Sequence, residues 1–162
     1  MKTDFINPAS DMAAVEKVVK AAFSSTSDSS LDQWLSFPSM KSALEKKSGI
    51  GIKAFSEDGD IIGIIYAQQE SPINGLEGEE KWVIIVTGVM PELAGKGIGT
   101  FLLQELEQAV KERGGKKLFV FTNKGDEQVI NFYHKNKYED AGWIKDYQYG
   151  ENNSAVFLLK YI

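Results

Sequence analysis

Three glycines alternate at Gly95, Gly97 and Gly99, with Lys96 between the first two and Thr100 directly after the third. Alternate glycines let backbone approach a ligand closely and permit positive φ. A helix starting here presents N–H groups with no intrahelical partner, and its dipole favours negative charge. Together these describe a pyrophosphate site; the alternative is a glycine-rich turn with no ligand. Two common phosphate loops do not fit. In GxxxxGK[ST] four residues separate the glycines, whereas six separate Gly88 from Gly95-Lys96, and Gly97 follows the lysine. In GxGxxG the last position would be Thr100 or Leu102, depending on the starting glycine. A dinucleotide fold would also place the loop after its first strand.

Other chemistry is excluded by what the chain lacks. It has no cysteine, hence no disulfide, no thiolate nucleophile and no Cys-based zinc or iron–sulfur site. No metal ligands are assigned. A serine triad would need the single histidine, His134, and there is no GxSxG elbow. Eighteen Lys and Arg against 23 Asp and Glu give a net charge of −5, which argues against a general nucleic-acid or membrane-surface binder. The segment from Met1 to Ala9 carries Asp4 and no apolar stretch, so it does not read as a signal peptide. No window approaches 18 apolar residues, so no membrane span is expected and a cytoplasmic location is the default.

These residues must be positioned by a fold. With 162 residues, 43% hydrophobic and 25% charged, the chain reads as a single globular domain over residues 1–162. Met1–Ile6 reads as a first strand. Ser10 can cap a helix carrying Met12, Val15, Val18, Val19 and Ala22 at helical spacing. Residues 24–30 form a serine-rich loop. Leu31–Lys47 reads as helix in two pieces, because Pro38 disfavours helix at Phe37. Gly51–Phe55 and Ile61–Gln68 flank Asp58-Gly59, a hairpin signal. The acidic stretch from Glu70 to Glu80 is an expected loop. The β-branched run Trp82–Val89 suits a central strand. Beyond the glycines, Ile98, Phe101, Leu102, Leu106, Ala109 and Val110 mark a helix ended by Gly114-Gly115. Leu118–Phe121 is a short strand, and Asp126–Asn136 an amphipathic helix with Val129, Ile130 and Tyr133 on one face. Tyr138–Tyr147 and Ala155–Tyr161 close the chain as an antiparallel pair. The order predicts an α/β (α+β) fold: a mixed, mostly antiparallel sheet of about seven strands with helices on both faces.

Two segments carry a resemblance. The run Gly88-Val89-Met90-Pro91-Glu92-Leu93-Ala94-Gly95-Lys96-Gly97-Ile98-Gly99 resembles the acetyl-CoA loop of the GNAT N-acetyltransferase family, roughly V-x-P-x-x-[RQ]-G-x-G-[IVL]-G/A. Val129-Ile130-Asn131-Phe132-Tyr133-His134-Lys135-Asn136-Lys137-Tyr138 is similar to that family's A-I-x-F-Y-x-K-x-G-F. The element order agrees along nearly the whole chain. Ala94 stands where the family prefers Arg or Gln, Asp126 where many members have Asn, and Lys137 where Gly is usual.

The resemblance implies an acetyl-CoA-dependent N-acetyltransferase that moves an acetyl group directly to an amine, on a small molecule or a peptide N-terminus. Its rival is a non-catalytic acyl-CoA binder or sensor on the same fold. It implies that backbone around Val89, at a bulge, pairs with the pantetheine arm. The cofactor-binding residues would be Val89, Ala94, Gly95, Lys96, Gly97, Ile98, Gly99, Thr100, Asp126 and Phe132. Tyr133 matches the tyrosine that protonates the departing thiolate. Glu79 and Glu80, at the entry of the central strand, are candidates for the base, with Glu80 taken forward; the competing reading is two solvated acids. Trp34, Phe37 and Met40 lie in the helical region that forms the acceptor wall in this family, and equally suit a core. The acidic residues Glu70, Glu77, Glu79 and Glu80 would attract a cationic acceptor. His134 should face away from Tyr133, because adjacent helical residues do not share a face. A homodimer is expected by analogy.

Overall fold

The apolar run that ends just before the glycines becomes the fourth strand of a seven-stranded open sheet. The computed structural model describes residues 1–24, 31–70, 80–148 and 152–162. The strands are β1 (Lys2–Phe5), β2 (Gly49–Phe55), β3 (Ile61–Gln69), β4 (Lys81–Val89), β5 (Lys117–Asn123), β6 (Glu139–Ile144) and β7 (Ala155–Tyr161). The helices are α1 (Met12–Phe23), α2 (Leu31–Trp34), α3 (Phe37–Glu45), α4 (Ile98–Glu112) and α5 (Glu127–Lys135). The sheet order is β1-β2-β3-β4-β5-β7-β6, and only the β4–β5 pair is parallel.

Each face of the sheet has its own core. On one face α4 lies across β2, β3 and β4, burying Ile98, Leu102, Leu103, Leu106, Ala109 and Val110. Leu103 takes the buried place expected of Phe101, which is only half-buried. Tyr133 of α5 joins this core. On the other face α1 and α3 cover β2, β3 and β4 with Val15, Val18, Val19, Met40 and Ala43. Each fully buried aliphatic side chain contributes about 1.5–3 kcal/mol, so both helical layers are tied to β4. The mixed, mostly antiparallel sheet with helices on both faces is as the sequence predicts.

Several local expectations shift. Asp11, not Ser10, precedes the first turn of α1, and its carboxylate is occupied elsewhere: it accepts the Asn7 N–H at 2.6 Å and pairs with the buried Lys53 of β2. The helical break falls at Leu35-Ser36, and Phe37 is helical after all. Ser36 caps α3 by accepting the Ser39 N–H, and Pro38 occupies the first turn, where its missing N–H has no role. Strand β2 starts at Gly49, and β6 stops at Ile144 before a turn in which Asp146 has φ of 50°. The acidic-loop residues Glu77 and Glu79 lie outside the described residues.

Candidate active site at the open edge of the fourth strand

Strand β4 is held on both sides for only part of its length. Against β5 it pairs from Lys81 to Ile84 opposite Lys117 to Val120. Beyond Ile84 it keeps its ladder with β3, while β5 continues to pair with β7 through Asn123. The two parallel strands therefore part, and a wedge opens between their C-terminal halves. The Met90 N–H donates to the Ile62 carbonyl on the β3 side at 2.9 Å. Alternation along a strand then turns the N–H and C=O of Thr87 and Val89 toward the wedge, where no strand pairs with them. This is an edge in the middle of a sheet, ready to bond an extended ligand arm.

A bulge sets which side chains line the wedge. Tyr66 pairs with Val86 and Ala67 with Ile84, so Ile85 is the extra residue. The bulge expected at Val89 thus lies four residues earlier. Trp82 and Ile84 face the α4 side, while Ile85 and Val86 both belong to the α1 and α3 side. Strict alternation from Ile84 would have aimed Val86 and Gly88 at α4. The bulge instead aims Thr87 and Val89 there, and Thr87 meets Tyr133.

The glycine loop follows directly. Residues Pro91–Leu93 form a 3₁₀ turn, whose closing bond runs from the Ala94 N–H to the Pro91 carbonyl. Gly95 and Gly97 have φ of 77° and 83°, and a Cβ at either would meet open space. Positive φ at Gly97 turns the chain into α4, whose first N–H groups, at Ile98, Gly99 and Thr100, have no carbonyl one turn earlier. Residues Ala94 to Gly97 are exposed, Ile98 is buried and anchors the helix, and Gly99 and Thr100 are half-buried. Phe132 packs over this start: its ring lies 3.4 Å from where a Cβ on Gly99 would stand. These donors, together with Lys96, suit the charges of a pyrophosphate.

Helix α5 brings the tyrosine. Asp126 caps it by accepting the Val129 N–H at 3.2 Å, so this carboxylate is engaged in holding the helix. At the other end the Tyr138 N–H donates to the Tyr133 carbonyl and the Lys137 N–H to the His134 carbonyl. That pair of bonds is a Schellman motif, and Lys137 takes the left-handed position with φ of 68°. The apolar contact that accompanies such a motif is here Tyr138 on Tyr133, with ring centroids 5.2 Å apart. Phe132 flanks the same ring at 5.0 Å. Tyr133 is thus clamped edge-on by two aromatics and is only 3% exposed. Its hydroxyl lies 3.3 Å from Thr87 Oγ1. Burial pushes its phenol up to about 12, with the Thr87 hydroxyl pulling the other way. His134, on the adjacent face, is a surface residue paired with Asp140 at 2.9 Å, as expected.

Glu80 is not part of this constellation. It precedes β4 at the end where β4 and β5 are paired, and it forms an ion pair with Lys116. Seven residues at about 3.3 Å each put it about 23 Å from Thr87 along the strand. Hydrogen bonding from Lys116 holds its carboxyl below the usual carboxylate range. It faces solvent and does not reach the Tyr133 hydroxyl, so its candidacy as the base is corrected. Its partner candidate Glu79 lies outside the described residues. Met40 is buried in the core, whereas Trp34 is 39% exposed and stacks edge-on with Phe23 at 5.4 Å. Sequence reasoning passed over Thr87. Its one signal was to be the single hydroxyl in an otherwise apolar run.

The parted parallel strands and the glycine turn into α4 stand side by side at one end of the sheet. The profile of the acetyltransferase (GNAT) family matches residues 14–138. The chain belongs to that family, and it is an N-acetyltransferase that takes its acetyl group from acetyl-CoA. No curated protein matches it in sequence. Solved structures do match it in fold. The ribosomal-protein-alanine N-acetyltransferase from Brucella melitensis is 21% identical, covers both chains completely and superimposes with a TM-score of 0.78. Aminoglycoside 6'-acetyltransferase type Ii is 20% identical over 99% of this chain and 97% of its own, with a TM-score of 0.76. An aminoglycoside 6'-N-acetyltransferase complexed with coenzyme A is 19% identical over the same shares, with a TM-score of 0.75.

Proposed function

We propose that the parted edge of β4 and the start of α4 form the acetyl-CoA site, and that Tyr133 is the general acid. The open N–H and C=O groups of Thr87 and Val89 would bond the pantetheine arm. The N–H groups from Gly95 to Thr100, with Lys96, would hold the pyrophosphate, and Phe132 would wall the channel. Ala94 contributes backbone alone, because it has no side-chain donor. Asp126 serves by capping the helix that carries Tyr133.

The bound thioester supplies an acetyl group on a good leaving group. A neutral amine attacks its carbonyl carbon, the carbon–sulfur bond breaks, and the thiolate needs a proton. With no cysteine in the chain, the acetyl group cannot pass through an enzyme thioester. Tyr133 meets the need for a proton: its phenol is neutral at every working pH, since burial keeps it up to about 12. Holding both reactants beside it provides much of the rate. The carrying observation is the Tyr133 hydroxyl against Thr87 on the stretch of β4 that β5 leaves unpaired.

The acceptor is an amine on a small molecule or at a peptide N-terminus. Aminoglycosides and alanine-initiated peptides are the first to screen, being the substrates named for proteins of the same fold. The partly exposed Trp34 would form part of the acceptor wall. The protein acts as a single domain over residues 1–162 in the cytoplasm. Among the described residues no helix is long and apolar enough to cross a membrane. A homodimer is supported by the outer strand β6, where Trp143 and Ile144 are 56% and 48% exposed.

A thermal-shift titration tests the donor site. Acetyl-CoA at 100 times its Kd should stabilise by about 2.7 kcal/mol, and NAD should do nothing. Acetyl transfer to an amine panel then follows with wild type and Tyr133→Phe. Cofactor binding with no turnover of any amine would turn the reading toward an acyl-CoA sensor. Full kcat in Tyr133→Phe would remove Tyr133 as the acid.

A further inference from the structure

We propose that Thr87 is a positioning residue for the transfer step: its hydroxyl orients the Tyr133 hydroxyl and donates a hydrogen bond to the phenolate left when Tyr133 gives up its proton. The inference rests on Tyr133 being the acid.

Three observations carry it. The two hydroxyl oxygens are 3.3 Å apart. Either can donate, so the bond survives a reversal of direction as charge appears on the tyrosine. The Ile85 bulge, not simple alternation, is what places Thr87 on the Tyr133 side of the sheet. Tyr133 is enclosed by the rings of Phe132 and Tyr138, and among the described residues Thr87 is the one whose side chain stands within hydrogen-bond distance of its hydroxyl. A phenolate formed in that enclosure without a donor would bear the full cost of a buried charge. The described carboxylate first considered for this site, Glu80, is far along the strand.

The balance of the step is complete. The amine nitrogen forms a bond to the acetyl carbon as the carbon–sulfur bond breaks and sulfur keeps the electron pair. The Tyr133 proton passes to that sulfur. The Thr87 O–H, now donating, holds the phenolate until the proton shed by the acylated nitrogen restores it. Thr87 itself neither gains nor loses a proton over the cycle.

The test is a set of variants assayed with acetyl-CoA and the best amine from the panel. Thr87→Val keeps the shape and removes the hydroxyl; Thr87→Ser keeps the hydroxyl and loses a methyl. We expect Thr87→Val to lower kcat roughly 10- to 100-fold, the worth of one hydrogen bond to a charged group. The KM for acetyl-CoA should stay unchanged and the solvent deuterium isotope effect on kcat should rise. Thr87→Ser should restore kcat. Adding Thr87→Val to Tyr133→Phe should cause no further loss, because there is no phenolate left to hold. A merely structural Thr87 would instead raise KM, show equal losses in both backgrounds and gain nothing from serine; that result overturns the inference while leaving Tyr133 as the acid. Unchanged kcat in Thr87→Val alongside a large loss in Tyr133→Phe overturns it in the same way. Unchanged kcat in both overturns the reading of Tyr133 and the inference with it.

Discussion

The two halves of β4 belong to one largely apolar run and differ in what pairs with them. From Lys81 to Ile84 the strand is bonded on both sides, and Trp82 and Ile84 are 2% exposed. From Val86 to Val89 it is bonded on one side, and Thr87 and Val89 face a wedge. The first half is core and the second borders the wedge, although both belong to one largely apolar run. The difference comes from a neighbour and a bulge: β5 leaves after Val120, and Ile85 reverses the alternation. A parallel pair can part in this way because each strand keeps its other partner, β3 for β4 and β7 for β5. Strand β3 therefore keeps one side of β4 bonded as far as Val89, while the side that β5 leaves stays open.

Substitutions at the two halves should separate stability from turnover. Trp82→Ala, in the paired half, should cost about 3–5 kcal/mol of folding free energy. Denaturant unfolding should show this loss, while the activity of the folded fraction is kept. Tyr133→Phe, across from the open half, should do the reverse: a loss of about 100-fold in kcat with the melting temperature nearly unchanged. The wild-type kcat should also show no alkaline fall up to about pH 10, because the active, protonated phenol is lost only as pH climbs through about 12. A fall near pH 8 would break the assignment. Gly97→Ala forces a side chain to φ of 83° and should cost about 1–2 kcal/mol. Its second effect should be a raised KM for acetyl-CoA with kcat less affected, read from initial rates.

A smaller effect tests the helix end that clamps Tyr133. Helix α4 ends with Gly114 at φ of 82°, while α5 ends with Lys137 at φ of 68° in the equivalent position. Lys137→Gly relieves the strain of a side chain in the left-handed region and should stabilise by about 0.5–1 kcal/mol, visible as a small rise in melting temperature at unchanged kcat. At the paired end, Glu80→Gln should leave kcat and both KM values as they are. A large loss there would restore Glu80 to the reaction and break the division of β4.

Much of this was legible before any fold was built. The turn at Gly95 and Gly97 into α4 was legible because positive φ is a local property of glycine. Tyr133 was singled out through the resemblance of its helix, and its burial, read from 3.6-residue spacing, is what the structure bears out. Glu80 was misplaced for a physical reason: adjacency to β4 in sequence says nothing about which end of β4 is the site. Asp126 was read against a family position, and the structure adds that one of its carboxylate oxygens accepts the Val129 N–H. Thr87 went unnoticed because one hydroxyl in an apolar strand has no partner until the helix that faces it is known.

The sequence by itself determined the order of strands and helices, the glycine turn into α4 and the absence of any cysteine chemistry. These depend on residues within a turn or two of one another, where backbone sterics and hydrophobic period decide. The tertiary structure alone decided where β4 and β5 part, that the bulge falls at Ile85 rather than at Val89, and that Thr87 meets Tyr133 across 46 positions of chain. Those outcomes depend on which strands pair and which face each helix covers, and pairing is settled by the burial of the whole sheet rather than by any one segment.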